Sequence, residues 1–211
     1  MSKSSLWGMN KEYKGFEIEE FGNSFLFSPV VWDILLEKYL PNERKTSYGY
    51  TKSIIGDRIL TMMLNDKINF CDCVYDRICW ELSNQQIFFT KDKNIVAKNI
   101  LDFINFNYKY SKDSDGEFLL GFEHIIERFS DMAESIKDLD INENLFFIFK
   151  NTSVDDNVEC WFQKYDNEEC NYIKSSLIEL NEIVIEFVFI KNGMIDTFKN
   201  NIEYFKQLNL K

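Results

Sequence analysis

The spacing of apolar residues changes along the chain, and each change marks a new kind of element. Phe16, Ile18 and Glu20 alternate with Glu17, Glu19 and Phe21, the period of two that a half-buried strand requires. Gly22-Asn23 can supply the positive φ of a tight turn, so Phe25-Leu26-Phe27 is expected to return as a second strand. Ser28 offers a hydroxyl as helix N-cap, and Pro29 suits the first helical position, where its missing N–H costs nothing. Val30, Val31, Ile34, Leu35 and Tyr39 then recur at helical spacing until Pro41 stops the helix.

The middle of the chain keeps the helical period. The pattern predicts a helix over Ser53 to Leu64 with Ile55, Ile59, Met62 and Met63 facing the core, and a second over Phe70 to Leu82 with Cys71, Val74, Ile78 and Leu82 on one stripe. Ile87-Phe88-Phe89 reads as a short strand or buried turn. Asn94 reads as the N-cap of a helix to Phe106, with Val96, Ile100 and Phe103 inward. After the loop Ser111 to Gly116, Ser114 and Glu117 form a capping box for a long helix. Its stripe is Phe118, Phe122, Ile125, Phe129, Met132 and Ile136.

Past Asn144 the period returns to two. Leu145 to Phe149, Val158 to Tyr165, Tyr172 to Leu180 and Ile183 to Ile190 read as four strands with hairpin-length connections, an expected antiparallel meander. Asn192-Gly193 is expected to end the sheet, and Ile195, Phe198, Ile202 and Phe205 to form a closing helix. The expected fold class is therefore α+β: an N-terminal β-hairpin, a helical middle, a C-terminal antiparallel sheet of about four strands and a closing helix. No repeat or linker divides residues 1–211, which read as a single domain.

Composition narrows the partners. The formal net charge is -11, which argues against a direct grip on nucleic acid or anionic lipid and permits binding to a basic protein. From Asp138 to Ile190 twelve acids face only Lys150, Lys164 and Lys174, so this quarter of the chain holds most of the excess. No apolar run approaches the ~20 residues of a membrane span, and the N-terminus lacks the apolar core of a signal peptide. Five cysteines then read as reduced thiols of a cytoplasmic protein.

Catalytic signatures do not assemble. The eight glycines form neither a phosphate loop nor a dinucleotide fingerprint. The one histidine, His124, lies opposite the apolar stripe of its helix and reads as exposed, with no orienting partner in recognisable spacing. Cys71, Cys73 and Cys79 lack zinc-finger spacing. Placed on a helix, residues 71 and 73 would diverge too far to share a metal, so they read as structural thiols. No catalytic, cofactor or metal residue is assigned. What stands out is the interleaving of Trp161, Tyr165 and Tyr172 with Asp155, Asp156, Glu159, Asp166, Glu168 and Glu169. It reads either as a solvated outer face or as aromatic anchors within a carboxylate rim, which suits binding of a basic protein.

Phe16-Glu17-Ile18-Glu19-Glu20-Phe21-Gly22-Asn23-Ser24-Phe25-Leu26-Phe27-Ser28-Pro29-Val30-Val31-Trp32-Asp33 resembles the N-terminal region of immunity proteins of bacterial contact-dependent growth inhibition and related polymorphic-toxin systems. The resemblance covers about thirty residues strongly and the rest only in size, acidity and composition. It implies a protein without chemistry of its own, which binds the C-terminal domain of a cognate toxin, often an RNase or DNase. No binding residue carries over by position, so the nine residues above rest on charge and aromatic pattern alone. Two alternatives stay open: a phage or plasmid inhibitor that imitates nucleic acid with its carboxylates, and an enzyme with a carboxylate or metal site.

Overall fold

A computed structural model describes residues 3–10, 15–21, 27–44, 57–107, 109, 122–152, 163–174 and 186–200. The architecture is mixed α+β, with an N-terminal strand pair, helices in the middle and strands at the C-terminal end. It divides into two compact units: Met1–Ser24 with Gln85–Asn94 and Ser135–Lys211, and Phe25–Asn84 with Ile95–Glu134. Among the described residues no helix is long and apolar enough to cross a membrane.

The first unit is built on strands β1 (Lys3–Met9), β2 (Gly15–Glu20), β3 (Ile87–Phe89), β4 (Phe146–Thr152), β7 (Glu186–Lys191) and β8 (Met194–Asn200). They form one sheet in the order β2-β1-β4-β3-β7-β8. A separate two-stranded ribbon holds β5 (Gln163–Asp166) and β6 (Asn171–Lys174). The strand paired with β2 is thus β1, with a bulge between Leu6 and Trp7, rather than residues 25–27. Phe27 opens a helix, and residues 22–26 lie outside the described set. The four C-terminal strands are present, but not as a meander: β4 pairs with β1 and β3, while β7 runs parallel to β3.

Alternation along β4 sends Phe146 and Ile148 to one face of the sheet and Phe147 and Phe149 to the other, and all four are buried. On the first face they join Met9, Ile87, Phe89 and Phe187. On the second, Phe147 stacks on Phe88 at 5.6 Å and Phe149 meets Phe21 at 5.8 Å. Strand β1 approaches its surroundings closely at Gly8. A Cβ there would lie 1.9 Å from the Asn144 side-chain oxygen, so any larger residue requires Asn144 to shift. Asn192 and Gly193 have φ of 53° and 78°, the left-handed pair of a two-residue hairpin. They turn the chain from β7 into β8 instead of ending the sheet, with Lys191 opposite Met194. Residues 194–200 are therefore strand where a closing helix was expected, and 201–211 lie outside the described residues.

The second unit is helical: α1 (Phe27–Tyr39), α2 (Pro41–Arg44), α3 (Arg58–Asn69), α4 (Val74–Ser83), and most of α5 (Lys93–Asn107) and α6 (Phe122–Asp138). Ser28 lies inside the first turn of α1, not at its cap. Its hydroxyl donates to the Ser83 carbonyl at 3.1 Å and ties α1 to the end of α4. The Trp32 indole donates to the Ser83 hydroxyl at 3.0 Å, and the Trp80 indole to Asn65 at 3.0 Å. Asp57 caps α3, its carboxylate accepting from the Leu60 amide at 3.0 Å, so this helix starts later than the sequence pattern suggests. Helix α5 begins one residue before Asn94, directly after a 3-10 turn at Thr90–Asp92. The buried ring of Phe129 on α6 packs between Phe27 at 4.9 Å and Phe103 at 6.1 Å. The predicted capping box at Ser114 and Glu117 lies outside the described residues.

Candidate functional site

Of the nine residues that charge and aromatic pattern single out, Asp155, Asp156, Glu159 and Trp161 lie outside the described residues. The other five fall on one small element. Tyr165 and Asp166 end β5, Tyr172 belongs to β6, and Glu168 and Glu169 sit in the turn between them. Tyr165 is the register partner of Tyr172, and Asp166 of Asn171. The turn has a physical organiser. The Asp166 carboxylate accepts from the backbone N–H of Glu168 at 2.8 Å and of Glu169 at 3.2 Å, the local closure that Asp favours in turns. Cys170 completes it in the left-handed region at φ 50°. Glu168 and Glu169 themselves are exposed. One carboxylate is spent on backbone order, and two face water from a fixed turn.

The same unit shows a second run of exposed acids. Strand β2 forms one edge of the six-stranded sheet, and Glu17, Glu19 and Glu20 are all exposed on it. The Ser135 hydroxyl donates to the Glu19 carboxylate. Exposed Asp138 ends α6, exposed Asp140 and Glu143 follow it, and the Asp140 carboxylate accepts from the Asn142 amide at 2.7 Å. An electronegative surface of this kind attracts cationic groups over distances of about a Debye length.

The helical unit holds a constellation that sequence reading missed. Asp76, in the first turn of α4, is fully buried, yet both of its carboxylate oxygens are hydrogen-bonded. Oδ2 accepts from Lys38 Nζ at 2.5 Å and from the Tyr39 hydroxyl at 2.6 Å, and Oδ1 accepts from Asn107 Nδ2 at 2.6 Å. Lys38 donates again to Asn107 Oδ1 at 3.0 Å, and its ammonium lies over the rings of Tyr39 and Tyr75 at 5.4 and 5.3 Å. Burial, then the bond to Asp76, pushes the Tyr39 phenol far above its usual range, so it stays a donor. A bond with Cys73 raises the Tyr75 phenol as well. The arrangement joins α1, α4 and the end of α5 through one closed carboxylate. With three donors on its two oxygens and no exposure, Asp76 serves the fold better than it could serve a substrate.

The sequence signal for this cluster is weak. Lys38 in the last turn of one helix and Asp76 in the first turn of another are ordinary placements for the helix dipole, and nothing local pairs them across 38 residues.

Cys71 and Cys73 do not lie on a helix as expected; α4 starts at Val74, with Cys73 at its N-cap position. Their half-buried thiols border the Asp76 cluster, Cys73 Sγ standing 3.9 Å from Lys38 Nζ. Burial pushes the Cys73 thiol up to about 11, and raises the fully buried Cys79 as well, so both are poor nucleophiles at neutral pH. His124 is exposed on α6, 3.8 Å from Glu127. Among the described residues, no three His, Cys, Asp or Glu side chains gather as metal ligands would. Comparison with known proteins gives no match: no family model fits the chain, and no curated protein or solved structure matches it.

Proposed function

We propose that this chain is an immunity protein. It binds a cognate, positively charged toxin domain, a basic RNase acting on tRNA, and neutralises it by covering the active or RNA-binding face. The observation that carries this reading is the β5–β6 turn, where Asp166 fixes the backbone of Glu168 and Glu169 while both side chains remain exposed. A turn backbone already ordered leaves less freedom to be lost when a cation arrives, and the exposed charges speed encounter. The net charge of -11 and the exposed glutamates of β2 act in the same direction. The immunity-protein resemblance of residues 16–33 supports the biological setting. Tyr165 and Tyr172 on the same ribbon, with Trp161, Asp155, Asp156 and Glu159 just before it in sequence, complete the proposed contact set.

The test pairs the protein with the toxin encoded beside it. Co-expression is expected to protect cells, and the purified pair to form a stable complex. Reversing Glu168 and Glu169 together to lysine should slow association at low salt by about tenfold or more while leaving the unfolding midpoint unchanged. Unprotected cells and no complex would end the immunity reading. Wild-type association by the double variant would move the interface off this turn.

A further inference from the structure

Helix α3 was expected to bury Ile59, Met62 and Met63, and it does the reverse. Leu60, Leu64 and Ile68 are buried, whereas Ile59 is 73% exposed, Met62 59% and Met63 38%, and Phe70 follows the helix at 89%. At 100° per residue, Arg58, Ile59, Met62, Met63 and Asp66 share an arc of about 140° on the side opposite the buried three. A contiguous apolar row on one helical face differs from scattered exposed residues; it marks a contact surface.

The ends of the row indicate what covers it. Arg58 stands at one end and Asp66 at the other, two turns apart on the same face, and both are exposed. A basic partner would be repelled at Arg58 and an acidic one at Asp66. A surface that complements both is this same face turned end for end. In an antiparallel pair of α3 helices centred on Met62, residue 58 of each copy lies opposite residue 66 of the other, and the unbranched methionines fill the seam between them. We propose that the chain forms a two-fold dimer through α3, with Ile59, Met62 and Met63 as its apolar centre and reciprocal Arg58–Asp66 pairs at its ends. Self-complementarity of one patch is the requirement for a closed, isologous dimer, and this face meets it. The inference does not depend on the proposed immunity function.

Sedimentation equilibrium of the full chain over a concentration series tests it. The mass should climb from the 25.2 kDa of one chain towards twice that value. Met62→Asp, a change at an exposed position, should abolish the rise while keeping the unfolding midpoint that the wild type shows at dilutions where it is monomeric. Arg58→Glu should weaken association by about tenfold, and adding Asp66→Arg should restore it. A wild-type protein that stays monomeric overturns the proposal, including the case where Met62→Asp instead weakens binding to a different protein. So does a dimer that survives Met62→Asp, or one that the charge exchange fails to recover.

Discussion

In the helical unit the Asp76 carboxylate is fully buried and accepts from Lys38, Tyr39 and Asn107. In the strand-built unit Glu168 and Glu169 stand in water on a turn that Asp166 orders. The chemical group is the same, and its surroundings decide its use. Once desolvated, a carboxylate must be matched on every side, and the matching groups become fixed; its consequence is rigidity. Left solvated, it contributes little to stability and keeps its field available to a partner. Asp92 lies between these limits. It is partly buried, and its Oδ2 has no hydrogen-bond partner among the described residues.

The contrast breaks most visibly at Lys38. Lys38→Met strands a buried carboxylate and should cost about 3–5 kcal/mol in denaturant unfolding. Adding Asp76→Leu should recover part of that loss. A cost under about 1 kcal/mol would show that Asp76 does not need its cation. The exposed end of the comparison is probed at Asp166, whose replacement by alanine removes two hydrogen bonds to the turn. Hydrogen exchange at the Glu168 and Glu169 amides should then quicken, for a stability loss of about 1 kcal/mol. Unaltered exchange would mean that the turn is held by something other than Asp166.

The smallest effect belongs to Asp92. Burial raises its pKa, Lys91 opposing in part, so the folded chain binds this proton more tightly than the unfolded chain. The ionised form is therefore a penalty that is absent below the unfolded carboxylate range and fully present above the raised folded value. Asp92→Asn should stabilise the protein at neutral pH by less than about 1 kcal/mol, with the gain vanishing on acidification. A gain that persists in acid would assign it to something other than charge.

Local periodicity made the α+β class legible, along with the spans of α1, α5 and β3 and the inward Ile125, Phe129, Met132 and Ile136 of α6. It failed where residues answer to distant neighbours. Strand β1 was invisible because Ser4, Ser5, Leu6, Gly8 and Met9 are buried without alternating polarity, as happens when a strand is covered on both faces. Ile59, Met62 and Met63 fit a helix period, but period alone gives a stripe without saying which side faces the core. Leu60, Leu64 and Ile68 fit it equally well. Ile195 and Phe198, three residues apart, imitate a helical stripe, but the positive φ of Asn192-Gly193 is what a hairpin demands, and residues 194–200 are strand. As for the proposed site, charge and turn chemistry located the β5–β6 acids from sequence, whereas Asp76 with Lys38 and Asn107 exists only once three helices meet.

The strand order also carries a consequence for timing. Ser5 pairs with Lys150, and Phe88 with Val188, so the centre of the sheet joins segments made early in synthesis to segments made late. Loop closure over such separations is slow compared with forming a hairpin or a helix. As the chain leaves the ribosome, β1 and β2 can pair at once, but the other edge of β1 stays open until β4 emerges. The helices encoded between them can collapse during that interval. Strand β1 thus waits long for its second neighbour, and in that interval its unpaired backbone edge is open to mispairing.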